Sequence, residues 1–175
     1  MSTLFPDDLL RDAEALLSEL QQRSLVLAIA ESCTGGLLCG LLTEVPGASA
    51  VLERGYVTYS NEAKTELLGV DTTLIGRYGA VSEEVARAMA EGALARTPAA
   101  LAVSVTGIAG PDGGTVEKPV GLVYVAVART GSATFCHEYR FGNLGRRAIR
   151  LASLQEALAM VRAVLAEGRP AAPTA

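Results

Sequence analysis

Histidine, cysteine and tryptophan are scarce in this chain of 175 residues, which has one histidine, three cysteines and no tryptophan. A tetrahedral zinc site built from these side chains would need the whole set, namely His137, Cys33, Cys39 and Cys136. No CxxC or HExxH spacing supports such a site. The sequence therefore predicts neither a metal nor a cofactor, and it excludes any mechanism that needs two histidines.

Basic residues are also few, because the chain has 15 lysines and arginines but 19 aspartates and glutamates, which gives a net charge of −4. This balance argues against nucleic acid as the main partner, since neutralising phosphates needs a basic surface. No apolar run reaches the roughly 18 residues of a membrane span, and the first ten residues, with Asp7 and Asp8, do not resemble a signal peptide. An odd number of cysteines without framework spacing is typical of a reducing compartment. We expect a cytoplasmic protein without a membrane partner, and these features are compatible with a homo-oligomer.

Glycine and small aliphatic residues are abundant, with 18 glycines and a hydrophobic share of 50%. A chain of this length fits one domain, since roughly 150 residues is a typical domain size. We place this domain at residues 1–167. The remaining residues, 168–175, include Pro170 and Pro173 and are predicted to form a disordered tail.

Strands and helices alternate in the first two thirds of the chain. Apolar runs at 25–30 and 101–105 are typical of buried strands, a strand pair is predicted at 120–128 and 133–141, and the last helix is predicted at 146–167. This order predicts an α/β protein with three α/β/α layers around a mixed, mostly parallel sheet. Ligand sites of such sheets lie beyond the carboxyl ends of the strands. The loops after Ala30, Tyr59 and Val105 are therefore the candidate site.

The first candidate segment is ESCTGG at 31–36, between a predicted strand and a predicted helix. Its serine, Ser32, lies where main-chain N–H groups converge and the helix dipole favours negative charge. Such a position suits a phosphate cradle or a nucleophile with an oxyanion site, but it is equally compatible with Ser32 or Thr34 as a simple helix cap. Cys33 is an alternative nucleophile for which the sequence offers no plausible histidine partner.

The second candidate segment is YSNEAK at 59–64. With Ser60 or Asn61 as the helix cap, Lys64 falls in the first turn, where the dipole disfavours a cation. A partly desolvated lysine there has a lowered pKa and can act as a general base, whereas a lysine that extends into water has no such role. Tyr59 either orients this lysine and relays its proton or simply lines the rim of the core.

The third candidate segment is the loop at 106–121, which contains five glycines and two prolines. This composition suits close approach of the backbone to a ligand, or else an irregular surface loop. Thr106 and Gly107 directly follow a strand and are expected to face the substrate. Farther along, Arg146 and Arg150 share one helix face and are either phosphate ligands or part of a solvated surface.

Taken together, these motifs resemble the CinA carboxy-terminal family. The motifs are ESCTGG at 31–36, YSNEAK at 59–64, GAVS at 79–82, TGIAGPDGG at 106–114 and KPVG at 118–121. Stand-alone members of that family are nicotinamide mononucleotide (NMN) deamidases, also called PncC-type amidohydrolases. The resemblance implies hydrolysis of the NMN carboxamide to nicotinic acid mononucleotide and ammonia, in pyridine nucleotide salvage.

The resemblance also implies roles for individual residues. It makes Ser32 the nucleophile, Lys64 the base and Tyr59 the assisting residue. Substrate contacts are expected from the three loops and the last helix, at Glu31, Cys33, Thr34, Gly35, Gly36, Asn61, Thr106, Gly107, Gly110, Arg146 and Arg150. The family usually has an aspartate where this chain has Gly145, which puts any capping or orienting role of that residue in doubt. Two alternatives to an enzyme stay open: a non-catalytic nucleotide-binding module, and an accessory protein associated with competence or DNA damage.

Overall fold

The computed structural model describes residues 4–167, so the predicted tail at 168–175 lies outside the described residues. The helices and strands follow one another in the order α1 (Asp7–Gln22), β1 (Leu27–Glu31), α2 (Leu37–Thr43), β2 (Leu52–Val57), α3 (Asn61–Leu68), α4 (Thr72–Tyr78), α5 (Glu83–Ala95), β3 (Leu101–Gly107), β4 (Leu122–Arg129), β5 (Phe135–Arg140) and α6 (Arg146–Glu167). One short 3-10 helix, Ala48–Ala50, precedes β2.

The five strands form one mixed sheet in the order β2-β1-β3-β4-β5. The pairings of β1 with β2 and with β3 are parallel, whereas β4 is antiparallel to both β3 and β5. The α/β fold with a mixed sheet is therefore confirmed, and its parallel part is the group β2, β1 and β3. The carboxyl ends of these three strands meet at one edge of the sheet.

Helices cover both faces of the sheet, and alternate residues of β1 contact different groups of helices. On β1, Leu27 and Ile29 belong to the core shared with α1, α2 and α6. The alternate residues Ala28 and Ala30 belong to the core shared with α3, α4 and α5. Alanines on α5 and β4 form a further small cluster (Ala86, Ala90, Ala126 and Ala128). The abundance of small aliphatic residues thus lets α5 approach the sheet closely.

Three elements differ from the sequence-based expectation. Helix α4 was not predicted, although Asp71 caps it by accepting a hydrogen bond from the Thr73 N–H at 2.7 Å. Strand β3 continues through Gly107 because its end pairs with Val123 of β4, so Thr106 lies in the strand rather than in the loop. Strand β2 begins at Leu52 and ends at Val57, so Tyr59 lies beyond it.

Within residues 4–167, every helix is too short or too polar to span a bilayer.

Gly92 permits the close packing of α5 on α3, and we predict that Gly92→Ala destabilises the protein. A Cβ at this position would overlap the Leu68 carbonyl oxygen and lie 3.0 Å from the Leu68 carbonyl carbon. We expect the free energy of unfolding to fall by about 1–3 kcal/mol, as for other overpacked cores. Urea denaturation followed by circular dichroism measures this change.

The matched control is Gly76→Ala in the middle of α4. A Cβ at Gly76 meets no atom within 4 Å, so the substitution should stabilise the protein by about 0.5–1 kcal/mol through helix propensity. Equal effects of the two substitutions would contradict the packing role of Gly92.

Candidate active site

A cavity of about 290 Å³ lies at the carboxyl ends of β1, β2 and β3, where the three candidate segments meet. It is lined by Ser32, Cys33, Tyr59, Asn61, Lys64, Ala80, Val81, Thr106, Gly107, Ile108, Ala109, Gly110, Asp112, Gly113 and Arg146. The fold thus brings together nine of the residues selected from the sequence. Of the other five, Glu31, Thr34, Gly35, Gly36 and Arg150, none lines this cavity.

Ser32 and Lys64 lie in direct contact inside the cavity. The Lys64 Nζ is 3.0 Å from the Ser32 Oγ. Ser32 directly follows β1, and its N–H donates to the Val105 carbonyl at 2.9 Å, which fixes the serine against β3. Lys64 is held on α3, whose Ser60 cap accepts a hydrogen bond from the Ala63 N–H at 3.0 Å. Local capping and sheet register therefore bring together two residues that are 32 positions apart in the sequence.

The amine of Lys64 is enclosed by protein, with only 1% of the residue exposed. Burial lowers the pKa of Lys64, and the charges of Cys33 and Glu62 oppose this shift only in part. The Nζ also donates to the Thr58 carbonyl at 2.8 Å, which orients the amine towards Ser32. A neutral amine in this position has a lone pair that can accept the hydroxyl proton of Ser32. The arrangement can therefore activate a serine nucleophile without a histidine.

Glu31 has a structural role that the sequence did not reveal. Its carboxylate is fully buried and accepts hydrogen bonds from the N–H groups of Gly36, Leu38 and Cys39, each at 3.0 Å. These donors belong to the start of α2, so the carboxylate occupies the anion position that we had assigned to a phosphate or an oxyanion. In this structure the Glu31 carboxylate and the Gly36 N–H bind each other at the start of α2, and the substrate contacts expected of these two residues stay predictions.

The main-chain N–H of Cys33, in the same loop, has a different environment from the N–H groups that Glu31 binds. Among residues 4–167, no backbone carbonyl accepts a hydrogen bond from the N–H of Cys33, and Cys33 lines the cavity. This N–H follows the serine directly, which is the position of an oxyanion donor in serine hydrolases. The thiol of the same residue is a poor nucleophile, because burial raises the pKa of Cys33 to about 12.

Arg146 bridges two sides of the cavity. Its Nη1 donates to the Gly110 carbonyl at 2.9 Å and its Nη2 donates to the Tyr59 hydroxyl at 3.1 Å. Tyr59 is 60% exposed, and its hydroxyl contacts this guanidinium rather than the Lys64 amine. The proposed proton relay through the tyrosine hydroxyl is therefore not formed in this structure, and the geometry favours direct transfer between Ser32 and Lys64.

Arg150 lies behind the serine loop rather than in the cavity. Its Nη2 donates to the Thr34 carbonyl at 2.6 Å and approaches Gly35, where a Cβ would lie 3.6 Å away. The side chain of Thr34 is itself fully buried. Thr34, Gly35 and Arg150 therefore shape the loop that presents Ser32, and the expected substrate contacts of these residues do not follow from the geometry.

The segment between α4 and α5 also lines the cavity, through Ala80 and Val81, which the sequence analysis did not select. The Thr106 hydroxyl donates to the Ala80 carbonyl at 2.8 Å and joins this segment to the end of β3. The only signal in the sequence was the GAVS motif at 79–82. Ala80 and Val81 carry no reactive group, and hydrogen bonds to their main-chain carbonyls hold them at the cavity.

Comparison with known proteins gives consistent matches. The CinA C-terminal domain model matches residues 11–165. A CinA-like protein of Syntrophus aciditrophicus is 51% identical over 162 residues, which are 93% of this chain and 38% of that protein. A CinA-like protein of Akkermansia muciniphila is 58% identical over 121 residues, which are 69% of this chain and 29% of that protein. The chain thus spans less than two fifths of the length of these curated relatives.

Solved structures match over nearly their whole length. The competence/damage inducible protein CihA of Agrobacterium tumefaciens has a TM-score of 0.92 and 48% identity, covering 94% of this chain and 99% of that chain. Competence damage-inducible protein A of Klebsiella pneumoniae has a TM-score of 0.87 and 32% identity, covering 92% and 99%. The fold is therefore that of the matched CinA superfamily structures.

The buried amine of Lys64 predicts a distinctive dependence of stability on pH. The native protein releases the Lys64 proton at a lower pH than the unfolded chain, where the pKa is about 10.4. Between these two pKa values the unfolded state binds more protons, so the contribution of Lys64 to stability rises with pH. At pH values below the native pKa, Lys64 is charged in both states, so the full free-energy cost of enclosing its ammonium in the folded protein remains.

The measurement is the free energy of unfolding of the wild type minus that of Lys64→Met, from urea titrations at several pH values up to about 10. This difference should shift in favour of the wild type as pH rises. Ser32→Ala retains the lysine and should behave as the wild type does. A difference that is constant with pH would show that Lys64 titrates normally.

Proposed function

The chain belongs to the CinA C-terminal domain family, and we propose that it is an amidohydrolase that converts NMN and water to nicotinic acid mononucleotide and ammonia. The observation that carries this proposal is the 3.0 Å contact between the Ser32 Oγ and the enclosed amine of Lys64. A serine activated by a neutral lysine is a nucleophile suited to acyl transfer, and an amide is a substrate for that chemistry. The implied physiological role is salvage of pyridine nucleotides in the cytoplasm.

The first half of the reaction forms an acyl-enzyme. The Ser32 Oγ attacks the carboxamide carbon while Lys64 takes the hydroxyl proton. The N–H of Cys33 donates to the oxyanion, and each such donor contributes roughly 2.7–4 kcal/mol to stabilising the transition state. Lys64 then gives its proton to the departing nitrogen, the C–N bond breaks and ammonia leaves.

The second half of the reaction hydrolyses the ester on Ser32. Lys64, neutral again, takes a proton from water as the water oxygen attacks the acyl carbon. The C–O bond to Ser32 breaks and the proton on Lys64 returns to the serine oxygen. One side chain therefore serves as base and acid in both halves, which fits a chain with a single histidine placed on β5 away from the cavity.

The lining of the cavity suits a small zwitterionic nucleotide. Ala80, Val81 and Ile108 provide apolar surface for a flat pyridinium ring. The Arg146 guanidinium provides positive charge for a phosphate, and its contacts with Gly110 and Tyr59 hold it at the cavity. A non-catalytic nucleotide-binding module would share this lining. Binding alone, however, would not require the enclosed Lys64 amine to contact the Ser32 hydroxyl.

We predict that Ser32→Ala loses ammonia release from NMN by at least about a thousandfold, because the nucleophile is absent. Calorimetric titration should show that the variant still binds NMN, and circular dichroism should show that it remains folded. Ser104→Ala is the matched control, since Ser104 is buried on the neighbouring strand β3, donates to the Ala86 carbonyl at 2.6 Å and lies outside the cavity. Its turnover should remain near that of the wild type.

Turnover at the wild-type rate by Ser32→Ala would overturn the assignment of the nucleophile. Tight binding of NMN without ammonia release by the wild type would favour the non-catalytic module instead.

We further predict that Arg146→Met removes the preference for a phosphorylated substrate. The value of kcat/KM for NMN should fall by about 10- to 100-fold, the range expected for loss of a charge-assisted hydrogen bond. The value for nicotinamide riboside, which lacks the phosphate, should change little. An ammonia-release assay with both substrates measures the two changes together.

Arg147→Met is the matched control, because Arg147 lies in the same helical turn, is exposed and does not line the cavity. It should leave both substrates unaffected. Equal losses for NMN and nicotinamide riboside in Arg146→Met would mean that Arg146 only supports the loops and does not bind the phosphate.

A further inference from the structure

The chain contains only two lysines, Lys64 and Lys118, and the side-chain nitrogens of both donate to main-chain carbonyls beside the cavity. Lys118 lies in the glycine-rich loop, within a tight turn. The Lys118 N–H donates to the Thr115 hydroxyl at 3.0 Å, and the Thr115 N–H donates to the Lys118 carbonyl at 2.8 Å. From this turn the Nζ donates to the carbonyls of Tyr78 and Val81, at 2.5 and 2.7 Å.

These two carbonyls belong to the segment 78–81, which we call the wall segment because Ala80 and Val81 line the cavity. All four of its carbonyls accept hydrogen bonds from side chains. Lys118 binds the first and the last, the Ser82 hydroxyl donates to the Gly79 carbonyl at 2.9 Å, and the Thr106 hydroxyl donates to the Ala80 carbonyl at 2.8 Å. Side chains rather than a strand ladder therefore fix the position of this part of the cavity.

A lysine is well suited to this place. Its ammonium has three donors on a flexible stem, so it can bind two carbonyls of one bend. Tyr78 is the last residue of α4, where the helix dipole favours a cation. A Cβ at Gly79 would lie 3.0 Å from the Nζ, so the glycine also permits the close approach.

We propose that Lys118 is a positioning residue that fixes the wall segment so that Ala80 and Val81 form one side of a slot for a flat heteroaromatic amide. This inference rests on the proposed function, since it takes the carboxamide-bearing ring as the ligand of the cavity. Lys118 does not line the cavity and acts only through the wall segment. Lys118 therefore affects substrate binding, whereas Ser32 and Lys64 carry out the reaction.

The test is Lys118→Met in the full chain, which keeps the length of the side chain and removes its donors. We expect the KM for NMN to rise by at least about tenfold, because two hydrogen bonds from a charged group are lost, while kcat changes by less than about threefold. Lys118→Arg keeps a cation with several donors and should recover part of the loss. This second variant also keeps the test informative if Lys118→Met folds poorly.

Arg23→Met is the matched control for a cation that binds the backbone. Arg23 Nη1 donates to the Leu165 carbonyl at 2.7 Å, between α1 and α6 and away from the cavity. Its loss should lower the melting temperature without changing the KM. A KM that rises equally in Arg23→Met and Lys118→Met would overturn the proposal, since general destabilisation would then explain both.

A second measurement does not depend on turnover. Hydrogen exchange of the ligand-free protein should show faster exchange at 79–82 in Lys118→Met, with α6 unchanged. An unchanged exchange rate in this segment, or an unchanged KM in the folded variant, overturns the proposal. If the wild type releases no ammonia from NMN, the proposed function fails instead, and the exchange rates decide by themselves whether Lys118 positions the wall segment.

Discussion

The contact between the Lys64 amine and the Ser32 hydroxyl is the interaction on which the rest of the site depends. An amine can be enclosed only where hydrogen-bond acceptors replace water, and here the Thr58 carbonyl provides one of them at 2.8 Å. The Thr58 N–H in turn donates to the Glu31 carbonyl at 2.7 Å, so the residue before the serine and the acceptor of the lysine are joined directly. The parallel pairing of β1 with β2 thus helps to set the distance between the Ser32 and Lys64 side chains.

Two buried ionisable residues, Glu31 and Lys64, lie beside Ser32 and bind different partners. Glu31 precedes Ser32 and is bonded to the N–H groups that begin α2, whereas Lys64 contacts the serine side chain itself. The carboxylate therefore does not neutralise the amine through an ion pair, which would raise the pKa of the lysine. Burial instead dominates and lowers the pKa of Lys64, so that it can act as a base. Glu31 stabilises the loop while leaving the lysine free for chemistry.

The sequence predicted the parts of this site that have local signals. A buried strand followed by ESCTGG, and a cap followed by Lys64, were enough to place Ser32 and Lys64 at one sheet edge, whereas the roles of nucleophile and base are implied by the family resemblance. The bounds of α6 were predicted as observed. Contacts between distant segments left no such signal. The binding of Glu31 to the start of α2, the position of Arg150 behind the loop and the place of Ala80 in the cavity all depend on tertiary packing. Helix α4 differs from these contacts, because its Asp71 cap is a local signal in the sequence.

Gly145 precedes α6 in a backbone conformation that favours glycine. Its φ of +86° lies in the left-handed region that L side chains rarely adopt, although a Cβ there would meet no atom within 4 Å. Without a carboxylate at this position, Arg146 is oriented by the Gly110 carbonyl and the Tyr59 hydroxyl. Both acceptors belong to loops that line the cavity, and one turn later Arg150 binds the loop of Ser32. The start of α6 therefore joins three separate loops, because Arg146 binds the loops of Gly110 and Tyr59 and Arg150 binds the loop of Ser32. The same helix end thus fixes both the guanidinium of Arg146 and the loop that presents Ser32.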